Sequence, residues 1–539
     1  TRPGGARDGW ARDRIDPLAT MTMDTEEAEA ILAPDWDRSR RRRKKKVLVA
    51  LAATAVGVLA LASVLAFLQV FQGWDEGARL APSPQPSPSV EVAPRWPIEP
   101  GQFAAVRGGD FVLAGRPVEG EGNETDCRPL YLTGWNAWDI ARAARISPRN
   151  HKTVGGETGK EALEAQLAAA NAAGLNVVRA WAHTVDPSYP VMRSPGVYDE
   201  AGLDAIDFLL DRANKHGVRV ILSFVDNWKY AGGVDQMVDF SPTAPARTGA
   251  RPEDETGDFD QIGLNETAKE YEVKRHALFF TDEGAREVYK GHVRELLERV
   301  NSYSGVVYKE DPTIFAWNLI NEPRCESWLV EGCEGRLQGW IEEMSAYVKL
   351  LDPNHLVTVG GEGFYAGPGS NSEGPTGDLS ANPADWAAKT GQDFVANHAP
   401  ESIDFATIHL WPDNWNQSST AFQEEWIRSH AELASSVLKK PVIVQEFGKK
   451  LADPETRGDL GERDSVYEMV NKLVESDVEE GGSLKGSLFW NWEIDLLIGA
   501  TEDPYTLRPE DSTFDLVRSH ALRMQNLSES RSFDCGDLK

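Results

Sequence analysis

Two glutamates give the first chemical signal in this chain. Glu322 closes the apolar run IFAWNLINE (314–322) as Asn321-Glu322-Pro323, and Glu446 closes PVIVQEFG (441–448) as Gln445-Glu446-Phe447. A carboxylate at the end of a buried run costs desolvation energy unless it does chemistry or meets a cation. Two such groups on either side of one bond could cleave a glycoside with retention: one protonates the leaving oxygen, the other attacks the anomeric carbon, at a separation of about 5–5.5 Å. Either glutamate taken alone could equally be a surface or ion-paired residue. Competing chemistries find less support. The chain has no Gly-x-Ser-x-Gly elbow and no His-Glu-x-x-His, and its ten histidines lack metal-ligand spacing. GGETGK (155–160) resembles a phosphate-binding loop, but its first glycine is misplaced and Glu161 stands where Ser or Thr is needed. No metal and no organic cofactor is expected.

These glutamates need a scaffold. Eight short apolar runs recur: YLTGWNAW (131–138), NVVRAWAH (176–183), RVILSFVDN (219–227), IFAWNLINE (314–322), LVTVGGEGF (356–364), FATIHLW (405–411), PVIVQEFG (441–448) and GSLFWNWE (486–493). Near-continuous apolar runs suit parallel strands covered on both faces. Helical patterns lie between them, at 160–174, 201–217 and 283–300 among others, and several stop at glycine. The alternation predicts a (β/α)8 barrel over 98–539, with its site at the C-terminal strand ends. A doubly wound open sheet is the rival, but the Gly-rich phosphate turn expected after its first strand is missing. A polar insert at 229–280, rich in Gly, Asp and Thr, follows the third strand. It reads either as a wall of the cleft or as an inert insertion.

The chain has 539 residues and a net charge of −29, although residues 1–46 carry a small positive excess. So acidic a body is a poor partner for nucleic acid. Seventeen tryptophans exceed what is common, and surplus indoles often serve flat sugar rings, although core packing claims many of them. RSRRRRKKK (38–46) precedes an uncharged stretch at 47–68, whose 22 residues would span about 33 Å as a helix, enough for a bilayer core. The positive-inside rule then predicts a type II signal anchor (47–71) with a cytosolic tail (1–46), and cleavage to a secreted form is the alternative. A Pro/Ser-rich spacer (72–97) follows, and the body would lie in the lumen or outside the cell, at the surface or in the Golgi. Asn-x-Ser/Thr occurs at Asn123, Asn265, Asn416 and Asn526, where glycosylation is expected at some. In such a compartment Cys325 and Cys333, eight apart, would close a small loop, and Cys127 and Cys535 would bridge the barrel's ends. Free thiols are the alternative for both pairs.

The ordered motifs bring a family into view. YKEDPTIFAWNLINEPRC (308–325), ESIDFATIHLWPDNW (401–415), PVIVQEFG (441–448) and LFWNWE (488–493) resemble glycoside hydrolase family 5, most closely its plant- and fungal-type mannan endo-1,4-β-mannosidases. FVDNW (224–228) and DSTFDLV (511–517) are similar too, and the likeness covers about residues 105–525. The resemblance implies Glu322 as general acid/base, Glu446 as nucleophile, and Arg179 as the cation that holds Glu446. It further implies that Asn321 binds the sugar 2-hydroxyl, that His409 joins the network around the nucleophile, and that Trp490 is a sugar platform. Asn136, Asn227 and Trp228 look like cleft-lining positions. Trp411 departs from the family, which often has Tyr two residues after that histidine; an indole N–H donates but does not accept, so either the contact changes or the ring acts as a wall. The activity implied is retaining endo-hydrolysis of β-1,4-mannan, glucomannan or galactomannan. A β-glucanase, a mannan transglycosylase and a catalytically silent carbohydrate-binding surface protein are the other readings.

Overall fold

The computed structural model describes residues 97–113, 126–145, 158–228, 230–249, 264–367, 378–453, 457–492 and 503–534. Eight strands form one parallel ring: β1 (Leu132–Ala137), β2 (Val177–Trp181), β3 (Arg219–Ser223), β4 (Ile314–Asn318), β5 (Leu356–Thr358), β6 (Ala406–Leu410), β7 (Val442–Phe447) and β8 (Leu484–Phe489). Neighbours in sequence pair in parallel except β5 and β6, and β8 pairs with β1. Between β5 and β6 the ring closes through single bonds, from Asp404 N–H to Val357 O (2.8 Å) and from His409 N–H to Glu362 O (3.0 Å). Every strand residue is buried. That is why the runs read as continuous apolar stretches rather than alternating ones. All eight expected strands are present, and the (β/α)8 barrel replaces the open-sheet alternative.

The outer helices are α1 (Gly159–Ala172), α2 (Glu200–Lys215), α3 (Glu283–Glu298), α4 (Cys333–Leu351), the short α5 (Phe394–His398), α6 (Thr420–Leu433), α7 (Gly461–Glu480) and α8 (Ser512–Glu529). Their starts are written in local chemistry. Thr158 and Glu161 form a reciprocal capping box at α1, and Asp199 and Asp282 cap α2 and α3 through their carboxylates. The insert after β3 is not shapeless. It contributes a helix at Val234–Phe240 and another at Glu266–His276, whose N-cap is Asn265; residues 250–263 lie outside the described residues.

The N-terminal end of the ring is closed by a hairpin, Ala104–Arg107 with Asp110–Leu113. Phe111 enters the barrel and meets Phe315 and Phe405 edge-on, each at 5.2 Å, among Leu132, Val177, Ile221, Ile443 and Leu488. The expected anchor (47–71), the tail before it and Asn123 lie outside the described residues, as does all of the spacer but its last residue. Among the described residues no helix is long and apolar enough to cross a membrane.

Candidate active site

The opposite, C-terminal end of the ring gathers the charged residues. Beyond β4 the chain runs through Leu319 and Ile320 to Asn321 and Glu322. Glu322 has a φ of +48°, a left-handed backbone that a non-glycine residue adopts at a cost of roughly 1–3 kcal/mol. The fold imposes it: Asn321 N–H bonds Val225 O (2.9 Å) and Glu322 N–H bonds Gly360 O (2.9 Å), so the β3 and β5 ends grip this turn from both sides. Gly360 permits the approach, because its φ is +90° and a Cβ there would lie 2.1 Å from the Asn318 side chain.

Glu446, on β7, is buried against Arg179 from β2, whose Nη1 donates to its Oε1. Arg179 is itself fully buried and fully engaged. Its Nε donates to Asn318 Oδ1 (2.9 Å), its Nη2 to Asn321 Oδ1 (2.7 Å) and its Nη1 also to Asn136 Oδ1 (3.1 Å). With Glu446 these acceptors come from three strand ends, β1, β4 and β7, so the guanidinium ties the mouth together. Asn321 passes the network on, donating to Asp226 Oδ1 (2.9 Å).

His409, on β6, stands between the glutamates. Its Nδ1 is 2.5 Å from Glu322 Oε1 and 3.5 Å from Glu446 Oε2. The second Glu322 oxygen accepts the indole N–H of Trp228. One oxygen of each glutamate and one nitrogen of His409 lie within 4.8 Å of one another. Such a trio meets the distances of a cation site, but Arg179 already supplies a fixed positive charge and His409 Nδ1 faces both carboxylates. The arrangement suits sharing a proton.

The electrostatics follow from these contacts. Burial disfavours a charged His409, yet Glu446 and Glu322 outweigh it and raise its pKa above 6.5. Burial alone would raise Glu322, but His409, Arg324 and the Trp228 N–H bring it below its ordinary value. Glu446 ends raised by burial and by Glu322, with His409 and Arg179 opposing. An acid/base residue would be expected to hold its own proton at a raised pKa. Here Glu322 is instead lowered and His409 raised, because the two side chains lie in contact.

Aromatic rings wall the cleft. Trp490, half-buried just after β8, lies edge-on to Trp181 (6.2 Å) and to Trp411 (5.7 Å), and Trp411 meets Tyr505 at 5.0 Å. Among the described residues no hydrogen bond joins Trp411 to Glu446. The ring is a wall, and the contact a tyrosine would make is absent.

Two expected cleft-lining residues lie elsewhere. Asn136 is fully buried beneath Glu446, donating to Gln445 O (3.0 Å) while accepting from Arg179. Asn227 is also buried, and its Oδ1 accepts Arg324 N–H (3.0 Å). Both orient other groups, because the strand ends crowd before the cleft opens. Cys325 and Cys333 are disulfide-bonded, with Cα atoms 5.2 Å apart. Cys127 is disulfide-bonded too, while Cys535 lies outside the described residues.

Sequence reasoning missed a second ion pair at the mouth. Glu362, just past β5, is buried and receives Arg324 Nε (2.9 Å) and Nη2 (2.6 Å), and its pKa is pushed up to about 7, chiefly by burial. Arg324 also stacks on Trp228, 4.6 Å from the ring centre. The signal was available: a carboxylate ending an apolar run, as at Glu322 and Glu446.

Comparison with known proteins agrees with this geometry. A family model described as glycoside hydrolase family 5 β-mannosidase-like matches residues 110–373 and 376–499. Mannan endo-1,4-beta-mannosidase 1 of Oryza sativa subsp. japonica is 37% identical over 391 residues, 71% of this chain and 78% of its own length. Mannan endo-1,4-beta-mannosidase 7 of Arabidopsis thaliana is 33% identical over 442 residues, 80% of this chain and 84% of its own. Among solved structures, the endo-1,4-beta-mannanase from Rhizomucor miehei superposes with a TM-score of 0.57 at 26% identity, covering 79% of this chain and 99% of that one. The fold, the mouth and these matches together place the chain in the β-mannosidase-like part of glycoside hydrolase family 5.

Proposed function

We propose that this protein is a retaining endo-β-mannanase that cleaves β-1,4 bonds in mannan, glucomannan or galactomannan. The observation that carries the mechanism is the spacing of the carboxylates. Oxygens of Glu322 and Glu446 within 4.8 Å favour double displacement, since inverting enzymes hold their carboxyls about 6.5–9.5 Å apart to admit a water. The substrate class rests on the relatives' activity.

In the first step a Glu446 oxygen attacks the anomeric carbon, the bond to the leaving sugar's oxygen breaks, and Glu322 passes that leaving oxygen the proton it shares with His409 Nδ1 at 2.5 Å. In the second step Glu322 takes a proton from water and restores it to the pair with His409, the water oxygen attacks the anomeric carbon, and the ester to Glu446 breaks. The sum is one water consumed per bond. Arg179 keeps Glu446 ionised and aimed, and Asn321, pinned by Arg179 and Asp226, serves the sugar 2-hydroxyl. Trp490 offers an indole face to the ring in the reacting subsite. Trp386 is exposed and stacks on Arg324 at 5.2 Å, and Trp328, three residues past Cys325, is exposed as well. Indoles on both sides of the cut suit a polymer held across the cleft, and so endo action.

The catalytic domain would be carried by a type II membrane anchor at 47–71, a reading supported by the basic run before it and the uncharged stretch that follows.

The test compares new reducing ends released from β-mannan, glucomannan and cellulose, with Glu446→Ala as control. Release from mannan that vanishes in the variant is expected. Release from cellulose alone would keep the mechanism and discard the substrate. Mannan binding without release from any polymer would favour a silent receptor.

A further inference from the structure

Asn227 links the end of β3 to the acid/base turn, and its hydrogen bonds fix a proton count. Its Oδ1 accepts the backbone N–H of Arg324 at 3.0 Å, which identifies the oxygen end of the carboxamide. The same oxygen lies 3.0 Å from Nε2 of His276. An oxygen and a bare ring nitrogen would repel, so Nε2 carries a hydrogen. On its other side, His276 Nδ1 lies 3.1 Å from Asp235 Oδ2, and this contact needs a proton as well. The pair must therefore hold two protons, one on Nε2 and one between Nδ1 and Oδ2. A neutral imidazole beside a carboxylate holds one.

Both residues come from the insert, Asp235 from the helix Val234–Phe240 and His276 from the end of Glu266–His276, and both are buried. The charged groups around His276 agree with the count. Asp235 and Glu326 face it, the latter from the acid/base turn. On its own helix Glu272 is paired with Arg247, and Arg275 with Asp239. Burial opposes an imidazolium, but Asp235 and Glu326 outweigh it, and the pKa of His276 is raised above 6.5.

We propose that the Asp235–His276 pair is a positioning device for the leaving-group side of the reaction, holding Asn227 and, through it, the Trp228 and Arg324 groups around Glu322. The inference rests on the reading of Glu322 as general acid. Trp228 follows Asn227 directly and donates to Glu322, while Arg324 stacks on Trp228. If the pair loses a proton, Nε2 and Oδ1 confront each other at 3.0 Å. Asn227 must then turn and release Arg324 N–H.

The test uses His276→Leu, which removes the donor toward Asn227 at similar bulk. Between pH 5.5 and 7.5 the variant should show a kcat/KM on mannopentaose about tenfold below the parent's. On an aryl mannoside whose leaving group needs no proton, the same variant should change less than about twofold, because the defect lies in proton donation. His276→Gln retains a donor toward Asn227 without titrating, so it should recover most of the parent's activity across this range. A nitrogen-15 spectrum of the full protein, with His276 assigned by its loss in His276→Gln, should show a doubly protonated ring near pH 7.5 in the parent and a neutral one in Asp235→Asn. A neutral His276 in the parent, or a His276→Leu variant that keeps the parent's kcat/KM on mannopentaose, would overturn the proposal. Should the parent fail to cut any mannan, the functional reading falls instead, and the spectrum still reports the pair.

Discussion

The two ends of the barrel are built from the same eight strands and do opposite work. At the floor, Phe111, Phe315 and Phe405 interlock in an apolar plug, and the buried Lys485 meets Asp110 at 2.8 Å. At the mouth, Arg179, His409, Glu322, Glu446 and Glu362 lie buried together beside the partly buried Arg324, with Glu322 on a left-handed backbone. Apart from the Lys485–Asp110 pair, burial at the floor follows hydrophobic preference and stabilises the fold. Burial at the mouth opposes it, and the charges persist because each is matched by a partner of fixed geometry. The contrast teaches that a strand's role is set by which of its ends a residue occupies, even when every position along it is buried.

Substitutions at each end should separate rate from stability. The largest effect is expected from Glu446→Gln, which removes the proposed nucleophile but leaves an oxygen for Arg179. Steady-state kinetics should show kcat reduced roughly 10⁴-fold, with the melting temperature little changed. At the floor, Phe111→Ala should cost about 3–5 kcal/mol of unfolding free energy in denaturant titration. The kcat of its folded fraction should equal the parent's. A Glu446→Gln variant that unfolds, or a Phe111→Ala variant that stays stable, would break the contrast.

A smaller effect lies in the mouth's own staple. Cys325 and Cys333 close a loop of sequence separation 8 on the acid/base turn. Replacing both by Ser should cost about 2–3 kcal/mol by loop entropy, read as a lower melting temperature.

The pH profile sharpens the account of the mouth. Glu446 must be ionised and its pKa is raised, so kcat/KM should fall as pH drops through a value above 4.5. The proton shared by His409 and Glu322 must be present and His409 is raised, so activity should fall again as pH climbs through a value above 6.5. A profile that stays flat to the acid side of pH 4.5 would contradict the first assignment.

Much of this was legible in the sequence, for a physical reason. Strands buried on both faces leave uninterrupted apolar runs, and the same runs point to what stands at their ends, Glu322, Glu446, Arg179 and His409. Less legible were residues whose meaning depends on partners far along the chain. Glu362 carried the same signal as the two glutamates, but its mate Arg324 is recognisable only once β4 and β5 lie side by side. Asn136 and Asn227 were read as cleft-lining, because nothing local reveals that a side chain points behind a carboxylate rather than beside a sugar. The helices of the insert were hidden by its polar composition, since His276 and Asp235 face one another across 41 residues.

The central claim is that Glu446 forms a covalent bond to the sugar while Glu322 handles the proton. A fluorinated mannosyl donor with a good leaving group, which slows the second step, tests it most directly through peptide mass spectrometry of the trapped protein. The account predicts one mannosyl adduct, on the peptide that carries Glu446, and no adduct in Glu446→Gln. An adduct on Glu322, or turnover with inverted anomeric configuration and no adduct at all, would contradict it.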